Sequence, residues 1–511
     1  MIPAPVLHMA AAAPLLAVAL GAFVVLLTEV LLSGRESFLG RPVTREWLGT
    51  ILALEAVVSL CIAALLAWQG FGEGTSLVFN PSHPMLRLDP FARFATALIC
   101  AASALACLLS KDYLVELRIN HGEYYALLLL STAGMVLLVC AVDLVTVFLG
   151  IELTSIPIYV LAGFDRRKLR SNESAFKYFL LGSFASAVLL YGIALLYGAT
   201  GQTGFAEIRA AFADAGSLAR VGLAMVLVGF LFKISAVPFH QWTPDVYEGA
   251  PTSVTAFMSV TVKVAGVVAL IRISLQAFQP AAADLQSGFA ILAVLTMLVG
   301  NVMAVIQDNL KRFLAYSSIS HVGNLLVGFA AGTALGGSAI LFYLLVYVFM
   351  NLGAFGVMIA LANRGQDADQ VADLSGLART RPALAAAMTL FMLSLAGIPG
   401  TGGFVAKFQI FMASVEAGQV GLALAMAVAS LVAVYYYLRI PVAMYMREPR
   451  EDLGRRPLGS GEWIALALCA VCVLLLGVFP DGVGNGVPLL PDLPVLDWTR
   501  SSVAALVAVL P

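Results

Sequence analysis

The sequence predicts an all-α polytopic membrane protein, and its composition, its hydropathy and the length of its apolar runs lead to that prediction. The chain has 511 residues, of which 61% are hydrophobic and only 12% are charged. Its mean hydropathy is +0.94, and a soluble protein of this composition could not cover its surface with polar groups. The apolar residues fall in runs of about 18 to 25, the length at which a helix crosses a bilayer. The net charge of −1 argues against a nucleic-acid partner, which would need a basic surface.

The apolar runs predict about fourteen membrane helices. The twelfth run is too long for one straight helix and is interrupted by GIPGTGG (397–403), while residues 239–251 are too polar for lipid and predict a loop folded into the protein. The predicted spans are 12–32, 46–68, 90–110, 124–141, 143–163, 174–199, 218–238, 252–272, 287–306, 309–331, 336–362, 383–416, 419–446 and 461–479.

The distribution of basic residues predicts how the chain is oriented. Most lysines and arginines outside the spans lie in loops after odd-numbered helices, and DRRKLR (165–170) is the strongest case. The positive-inside rule places those loops in the cytoplasm. We therefore expect a multi-pass protein of a bacterial inner (plasma) membrane, with both termini on the periplasmic side.

Two predicted helices, the seventh and the twelfth, each combine a lysine with a break. In LVGFLFKISAVPFHQW (227–242) Lys233 is followed by Pro238, and GIPGTGG precedes Lys407. Since five is an odd number, a five-helix unit that is repeated once must be inverted relative to itself. Paired broken helices are typical of inverted-repeat transporters with a site near the bilayer midplane. Helices 4–8 and 9–13 are the predicted repeats.

The predicted repeats divide the chain into four parts. They are an N-terminal three-helix segment (1–120), a first repeat (121–275), a second repeat (285–446), and a last helix with the C-terminal tail (447–511). For the end of the tail, residues 487–511, two alternatives stay open: a segment lying in the membrane interface against a neighbour, or a poorly ordered tail.

Four charged residues near the middle of apolar runs are the candidate functional residues. A charge at the centre of a membrane helix costs roughly 2.5–3.5 kcal/mol on insertion scales and usually has a function. The alternative is static ion pairing, or a long side chain that reaches water, which suits Lys177, Lys311 and Arg439 near helix ends. The four residues are Glu152, Lys233, Lys263 and Lys407.

The chemistry that suits these residues is reversible proton binding. Burial disfavours the charged form of a lysine, and a nearby carboxylate favours it. A buried lysine with a movable carboxylate partner can therefore release and recover a proton. Glu152 is the predicted partner of Lys233, and Lys263 is the next site in a row at half-membrane depth. Irregular backbone at membrane depth is tolerated where it lines a cavity, so Pro238 is expected to let water reach Lys233.

Histidines and cysteines are the remaining reactive side chains. His321 lies mid-helix among serines and is a secondary relay candidate, as are His240 and Lys177, although packing is the alternative for His321. Tyr343 and Tyr347, one turn apart, are interpreted as packing residues. Cys469 and Cys472 form a C-x-x-C inside an apolar run, and no second pair completes a metal site. We therefore expect no metal site and no cofactor-binding site in this chain.

Three long motifs stand out in the chain: KISAVPFHQWTPDVYEGAPTSVTAFMSVTVKVAG (233–266), NLKRFLAYSSISHVG (309–323) and GIPGTGGFVAKF (397–408). They resemble the antiporter-like membrane subunits of respiratory complex I, the proton-translocating NADH:quinone oxidoreductase. The resemblance covers about residues 120–445.

The resemblance implies fourteen helices in two inverted five-helix repeats, with broken seventh and twelfth helices. It also implies functional residues at Glu152, Lys233, Lys263 and Lys407, with His321 and Lys177 as secondary positions. NADH, FMN, iron–sulfur clusters and quinone would then belong to partner subunits, and this chain would be a translocase subunit without a redox site of its own. The implied partners are other complex I membrane subunits, including neighbouring antiporter-like subunits, and the lipid bilayer.

Other functions also fit the motifs. Multisubunit Na⁺/H⁺ antiporters share them and are the main alternative, and subunits of membrane-bound hydrogenases are a weaker one. The chain could also be a passive scaffold or a quinone-binding subunit.

Overall fold

The computed structural model describes residues 7–35, 37–38, 41–362, 367–449, 457–480 and 494–508, and these are mostly α-helical. Among the described residues, 13 helices are long and apolar enough to cross a membrane. The helices, numbered α1 to α20, are Met9–Leu32, Arg45–Trp68, Pro90–Glu116, Gly122–Cys140, Leu144–Ala162, Leu169–Thr200, Phe205–Phe212, Gly216–Ile234, Trp242–Gly249, Thr252–Phe257, Lys263–Gln276, Ala282–Val305, Leu310–Ala331, Ala334–Leu361, Leu377–Thr380, Pro382–Ala396, Gly402–Glu416, Val420–Met446, Ser460–Val478 and Val495–Ala508.

Short elements of other kinds interrupt or join these helices. A π-helical turn, Met258–Val262, joins α10 to α11, so that Thr252–Gln276 is one continuous span. Two two-stranded antiparallel ribbons lie between helices, β1 with β2 before α2 and β3 with β4 before α3. The strands are Ser37–Phe38, Arg41–Pro42, Leu77–Val78 and Arg87–Leu88, and the 3₁₀ turns are Gln279–Ala281 and Val371–Leu374.

Polar residues immediately before several helices explain where those helices begin. A helix start leaves backbone N–H groups without partners in the helix, and a side-chain oxygen can accept from them. Asp89 accepts from Ala92 N at 2.8 Å at the start of α3, and Asn309 accepts from Lys311 N at 3.0 Å at the start of α13.

The predicted fold class is confirmed. The 13 candidate spans correspond to the predicted helices other than the twelfth, and the twelfth is the pair α16 and α17, separated at Gly397–Thr401. Gly397 and Gly400 both have φ +87° in this break. The arrangement of helices 4–8 and 9–13 as inverted repeats, and the division into four parts, stay predictions.

The seventh membrane helix ends earlier than the sequence predicts. The predicted span runs to Pro238, whereas α8 ends at Ile234. Ser235 has φ +67°, and its N–H donates to Phe232 O at 3.1 Å, which closes the helix before the proline is reached. Pro238 is exposed. The helix therefore ends four residues earlier than predicted, just before the left-handed residue Ser235, and the expected role of Pro238 in letting water reach Lys233 stays a prediction.

The most deeply buried helices lie at the centre of the bundle. In the Thr252–Gln276 span and in α13, every residue of the apolar window is buried, whereas only 33% are buried in α6 and in α18. A helix that is apolar all round and fully buried is surrounded by protein. The helices that carry Lys263 and His321 are therefore shielded from lipid.

Most of the described part of the C-terminal segment is helical. Helix α20 packs against α3 and α14, and its Val503 side chain lies against Gly337. Residues 487–493 and 509–511 lie outside the described residues, so the choice between an interfacial segment and a tail is not decided for them.

Candidate functional site

Lys233 lies in the last turn of α8, where its side chain is buried and only 4% exposed. Its Nζ donates to Ser155 Oγ on α5 at 2.7 Å. A Cβ on Gly266 would lie 3.6 Å from Lys233 Cγ, so Lys233 packs against the helix turn after Lys263. The structure brings these two lysines onto facing helices.

The predicted direct pairing of Lys233 with Glu152 is not formed in this structure. Among the described side chains, no carboxylate oxygen lies within 4.0 Å of Lys233 Nζ. Glu152 is half-buried and instead accepts a hydrogen bond from Ser186 Oγ on α6. Ser155 lies one turn after Glu152 on the same face of α5. Ser155 therefore takes the contact with Lys233 that the sequence assigned to the carboxylate.

Lys263 comes directly after the π-helical turn and is 2% exposed. Its Nζ donates to Ser318 Oγ on α13. Ser318 Oγ is in turn hydrogen-bonded to Tyr347 OH on α14 at 2.6 Å, and the Tyr247 ring centroid lies 5.8 Å from Nζ. Turns of this kind occur often at functional sites. Lys263 therefore begins a chain of hydroxyl groups.

His321 lies one turn after Ser318 on α13 and is bonded to two tyrosines. Its Nδ1 is 2.5 Å from Tyr343 OH, and its Nε2 is 3.0 Å from Tyr437 OH. Tyr437 OH also bonds to Ser317 Oγ. Tyr343 and Tyr347, interpreted from the sequence as packing residues, do more than pack, because Tyr343 OH is hydrogen-bonded to His321 and Tyr347 OH to Ser318.

Lys407 obtains its acceptors from the break between α16 and α17. Its Nζ donates to the main-chain carbonyls of Leu395 at 3.0 Å and Ala396 at 2.8 Å, the last two residues of α16. Carbonyls at the end of a helix have no partner within it and carry partial negative charge, which favours an ammonium group. The break thus forms a socket for Lys407, which is 9% exposed.

The secondary candidates lie at the ends of the helices. His240 is half-buried in the turn between α8 and α9, and within the described part of the chain its Nδ1 has no hydrogen-bond partner. Lys177 is partly exposed and pairs with Glu173 at 2.8 Å and with Asp245 at 2.9 Å. Neither residue is among the contacts of Lys263 and Lys407 that the described part of the chain shows.

Lys311 does not reach water, which corrects the expectation for this residue. Its side chain is 3% exposed. The Nζ donates to Ala250 O at 3.0 Å and lies 3.9 Å from Asp367 Oδ2. The start of α13 is buried under the loop before α10, so a position near a helix end does not mean exposure here.

A layer of ion pairs links α6, α9 and α13 beside the break of the seventh helix. Asp245 on α9 pairs with Arg312 on α13 at 2.8 Å and with Lys177 on α6 at 2.9 Å. Burial opposes ionisation of Asp245, but the hydrogen bonds and charges of Lys177 and Arg312 outweigh it and hold the pKa of Asp245 below its usual value.

Three buried lysines, Lys233, Lys263 and Lys407, have only neutral oxygen atoms as hydrogen-bond acceptors among the described residues, and serines, tyrosines and a histidine lie beside Lys263. A helical membrane bundle with two discontinuous helices and such a row belongs to the ion-translocating class of membrane proteins. The family described as "NADH:quinone oxidoreductase/Mrp antiporter, TM" matches residues 141–433, and the chain belongs to this family.

Individual members of this family show which of its proteins the chain is similar to. NADH-quinone oxidoreductase subunit N of Trichlorobacter lovleyi is 47% identical over 434 residues, covering 84% of this chain and 88% of that protein. A chain in the structure of respiratory complex I from Thermus thermophilus matches with a TM-score of 0.77 and 31% identity, over 92% of this chain and 97% of that one. A chain of the Mrp complex from Dietzia sp. shares the fold, with a TM-score of 0.84 at 23% identity over 98% of each chain. The resemblance to complex I membrane subunits is confirmed.

Proposed function

We propose that the chain is a proton-translocating membrane subunit of a NADH:quinone oxidoreductase. The observation that carries this proposal is the set of three buried ammonium groups, on Lys233, Lys263 and Lys407, whose hydrogen-bond acceptors are all neutral. Removal from water disfavours the charged form, and no carboxylate in contact offsets it among the described residues. Each lysine can therefore pass its proton on when its surroundings change.

Each member of the row has a distinct part in the proposal. Glu152 and Lys233 form the input pair, with Ser155 as the residue that Lys233 contacts. Lys263 is the central site, from which Ser318 and the tyrosines lead toward His321 as a relay. Lys407 is the terminal site, and it leaves its two carbonyl acceptors only if the break rearranges. His240 and Lys177 are secondary candidates for proton access.

The driving redox chemistry belongs to other subunits in this proposal. NADH, FMN, iron–sulfur clusters and quinone would be bound by partner subunits, and the chain would act as a translocase subunit without a redox site of its own. Its partners would include neighbouring antiporter-like subunits. It would lie in a bacterial inner membrane with both termini periplasmic, as the basic loops indicate.

A subunit of a multisubunit Na⁺/H⁺ antiporter is the second candidate. The likeness to the Mrp complex chain favours it, but at 23% identity that likeness concerns the fold. Identity is 47% to a relative named NADH-quinone oxidoreductase subunit N, which favours the first proposal.

Replacing the central lysine tests the proposal. In the assembled complex, Lys263→Ala removes the site between the two breaks, and we expect proton pumping in proteoliposomes to fall at least about tenfold, as a lost group of this kind does in proton transfer. Lys111→Ala is the matched control, because Lys111 lies on α3 and pairs with Asp112 at 3.4 Å, away from the row. Normal pumping by assembled Lys263→Ala complex would show that the chain is a passive scaffold.

A further inference from the structure

Asp367, which belongs to none of the sites above, connects four distant parts of the chain. It lies in the loop between α14 and α15, and its side chain is 13% exposed. Its Oδ1 accepts from Tyr113 OH at 2.6 Å and from Thr252 Oγ1 at 2.9 Å. Its Oδ2 lies 3.5 Å from Lys168 Nζ and 3.9 Å from Lys311 Nζ.

Two of these contacts fix the first residue of the helix that carries Lys263. Thr252 begins the span Thr252–Gln276. Its hydroxyl donates to Asp367, and its backbone N–H donates to Tyr113 OH at 2.8 Å. Because the first N–H groups of a helix have no partner inside it, this contact satisfies a group that the helix cannot satisfy itself. Tyr113 lies near the end of α3.

The other end of the same helix is tied to the other end of α3. Arg272 donates two hydrogen bonds to Asp89, Nη1 to Oδ2 at 2.8 Å and Nη2 to Oδ1 at 2.7 Å, and both side chains are 1% exposed. Asp89 is the N-terminal cap of α3. Helix α3 and the Lys263 helix therefore run antiparallel, joined at both ends by carboxylate contacts.

The lengths of the two helices agree with this arrangement. From Asp89 to Tyr113 the chain advances 24 residues, and from Thr252 to Arg272 it advances 20, which correspond to about 36 Å and about 30 Å of helix. The π-helical turn Met258–Val262 lies between the two fixed ends. A one-residue insertion in a helix rotates all later residues of that helix by about 100°, so this turn sets the direction in which both Lys263 and Arg272 face relative to Thr252.

We infer that α3 is a brace for the Lys263 helix, with Asp367 and Asp89 as the positioning residues at its two ends. The brace rests on the proposed function, because what it positions is the central proton site. It also gives the N-terminal three-helix segment a part in proton transfer, although none of its residues lies in the row.

The test removes hydroxyl groups and leaves the charges in place. In the assembled complex, the double variant Tyr113→Phe/Thr252→Val deletes both oxygens that hold the start of the helix. We expect the number of protons pumped per NADH oxidised to fall on the order of three- to tenfold, as expected for the loss of two hydrogen bonds. Tyr125→Phe is the control, because Tyr125 is fully buried and its hydroxyl has no hydrogen-bond partner among the described residues.

A second variant tests the contact between Arg272 and Asp89 at the other end of the Lys263 helix. It provides an independent measurement in case the first variant does not assemble. Asp89→Asn/Arg272→Met removes the buried charges together, since removal of only one leaves an unpaired buried charge. A fall in the same ratio supports the brace. If the double variant does not assemble, Thr252→Val alone decides between the outcomes.

The outcomes separate the brace from the proposed function. Normal pumping by Lys263→Ala would overturn the proposed function. Loss of pumping in Lys263→Ala, together with a ratio in Tyr113→Phe/Thr252→Val equal to that of Tyr125→Phe, would overturn the brace alone. An equal loss of NADH oxidation and pumping at an unchanged ratio would assign the contacts a merely structural role and would also overturn it.

Discussion

Lys233, Lys263 and Lys407 differ in the kind of oxygen atom that accepts their hydrogen bonds. Lys233 and Lys263 each donate to a serine hydroxyl, whereas Lys407 donates to two main-chain carbonyls. A hydroxyl can also donate a proton, and a carbonyl cannot. The first two lysines can therefore pass protons through their partners, while Lys407 must exchange its proton elsewhere.

Removing the serine beside Lys233 tests this difference. Ser155→Ala deletes the acceptor at 2.7 Å and leaves the buried ammonium group without it, at a cost of about 1–3 kcal/mol. We expect pumping by the assembled complex to fall roughly three- to tenfold, and Ser155→Thr, which keeps a hydroxyl, to retain most of it. Ser131→Ala is the control, since Ser131 on α4 is a buried serine that donates to the main-chain oxygen of Thr154, the residue before Ser155 on α5. Equal pumping by Ser155→Ala and Ser131→Ala would contradict the role of Ser155.

The positions of the lysines are predictable from the sequence, and their acceptors are not. A charge in the middle of an apolar run is conspicuous because it is costly there. Ser155 and Ser318 are small polar residues of a kind that is common in helices, and nothing local distinguishes them. Opposite charge makes Glu152 the expected partner of Lys233. In the packed bundle, however, Glu152 bonds to Ser186 on α6, and Ser155 is the α5 residue that contacts Lys233 on α8. Residues 343 and 347 do carry a signal, two tyrosines one turn apart.

At the scale of the element, the two breaks are formed by different means. The residue that follows α8 is Ser235, a left-handed serine with φ +67°, whereas the residue that follows α16 is Gly397, with φ +87°. The second break is predictable from its glycines, because they adopt this conformation without strain. The end of the seventh helix is predicted four residues too late, at Pro238 and not at Ile234, because a proline is visible in the sequence and a serine at positive φ is not.

A pair of glycine variants separates backbone strain from the lysine socket. A Cβ on Gly397 would lie 2.9 Å from Lys407 Cδ, whereas a Cβ on Gly400, at the same φ, would meet nothing within 4 Å. Both Gly397→Ala and Gly400→Ala should destabilise the protein by about 1–3 kcal/mol through backbone strain. We expect only Gly397→Ala to reduce pumping beyond that shared loss of stability. Pumping and melting temperature measured on the same preparations test this, and equal pumping by the two variants would contradict it.

At the scale of the whole molecule, carboxylates outside the predicted spans hold distant parts of the bundle together. Asp367 joins α3, α10 and α13, and Asp245 joins α6 to α13. Hydropathy predicts the helices and their number because it reports local composition. It does not report these contacts, which join residues more than 50 positions apart, and so the arrangement of helices is predictable only through the family resemblance.

Acidification should reveal the contribution of Asp367 to stability. Burial opposes its ionisation, but Lys311, Lys168 and the hydrogen bonds from Tyr113 and Thr252 outweigh it and hold the pKa of Asp367 below its usual value. A carboxyl group with a lower pKa in the folded state stabilises the fold above its unfolded pKa of about 3.9, and this stabilisation is lost as the pH falls through the folded pKa.

The comparison is between the wild-type chain and Asp367→Asn, melted in detergent over a range of pH. We expect Asp367→Asn to melt at a lower temperature from pH 8 to about pH 5, with a constant difference from wild type. Below about pH 4 the difference should shrink, because the carboxyl group of the unfolded wild-type chain then binds protons that the folded state, with its lower pKa, does not yet bind. A difference that persists unchanged at pH 3 would contradict this role of the charge.

The socket of Lys407 has a consequence for how the chain can evolve. Its two acceptors are backbone oxygens of Leu395 and Ala396, which the main chain supplies whatever the side chain. A substitution at 395 or 396 therefore acts through the packing of these buried positions and not through the loss of an acceptor. The position whose residue type the site constrains is Gly397, which forms no hydrogen bond with the lysine but has no Cβ to meet its side chain.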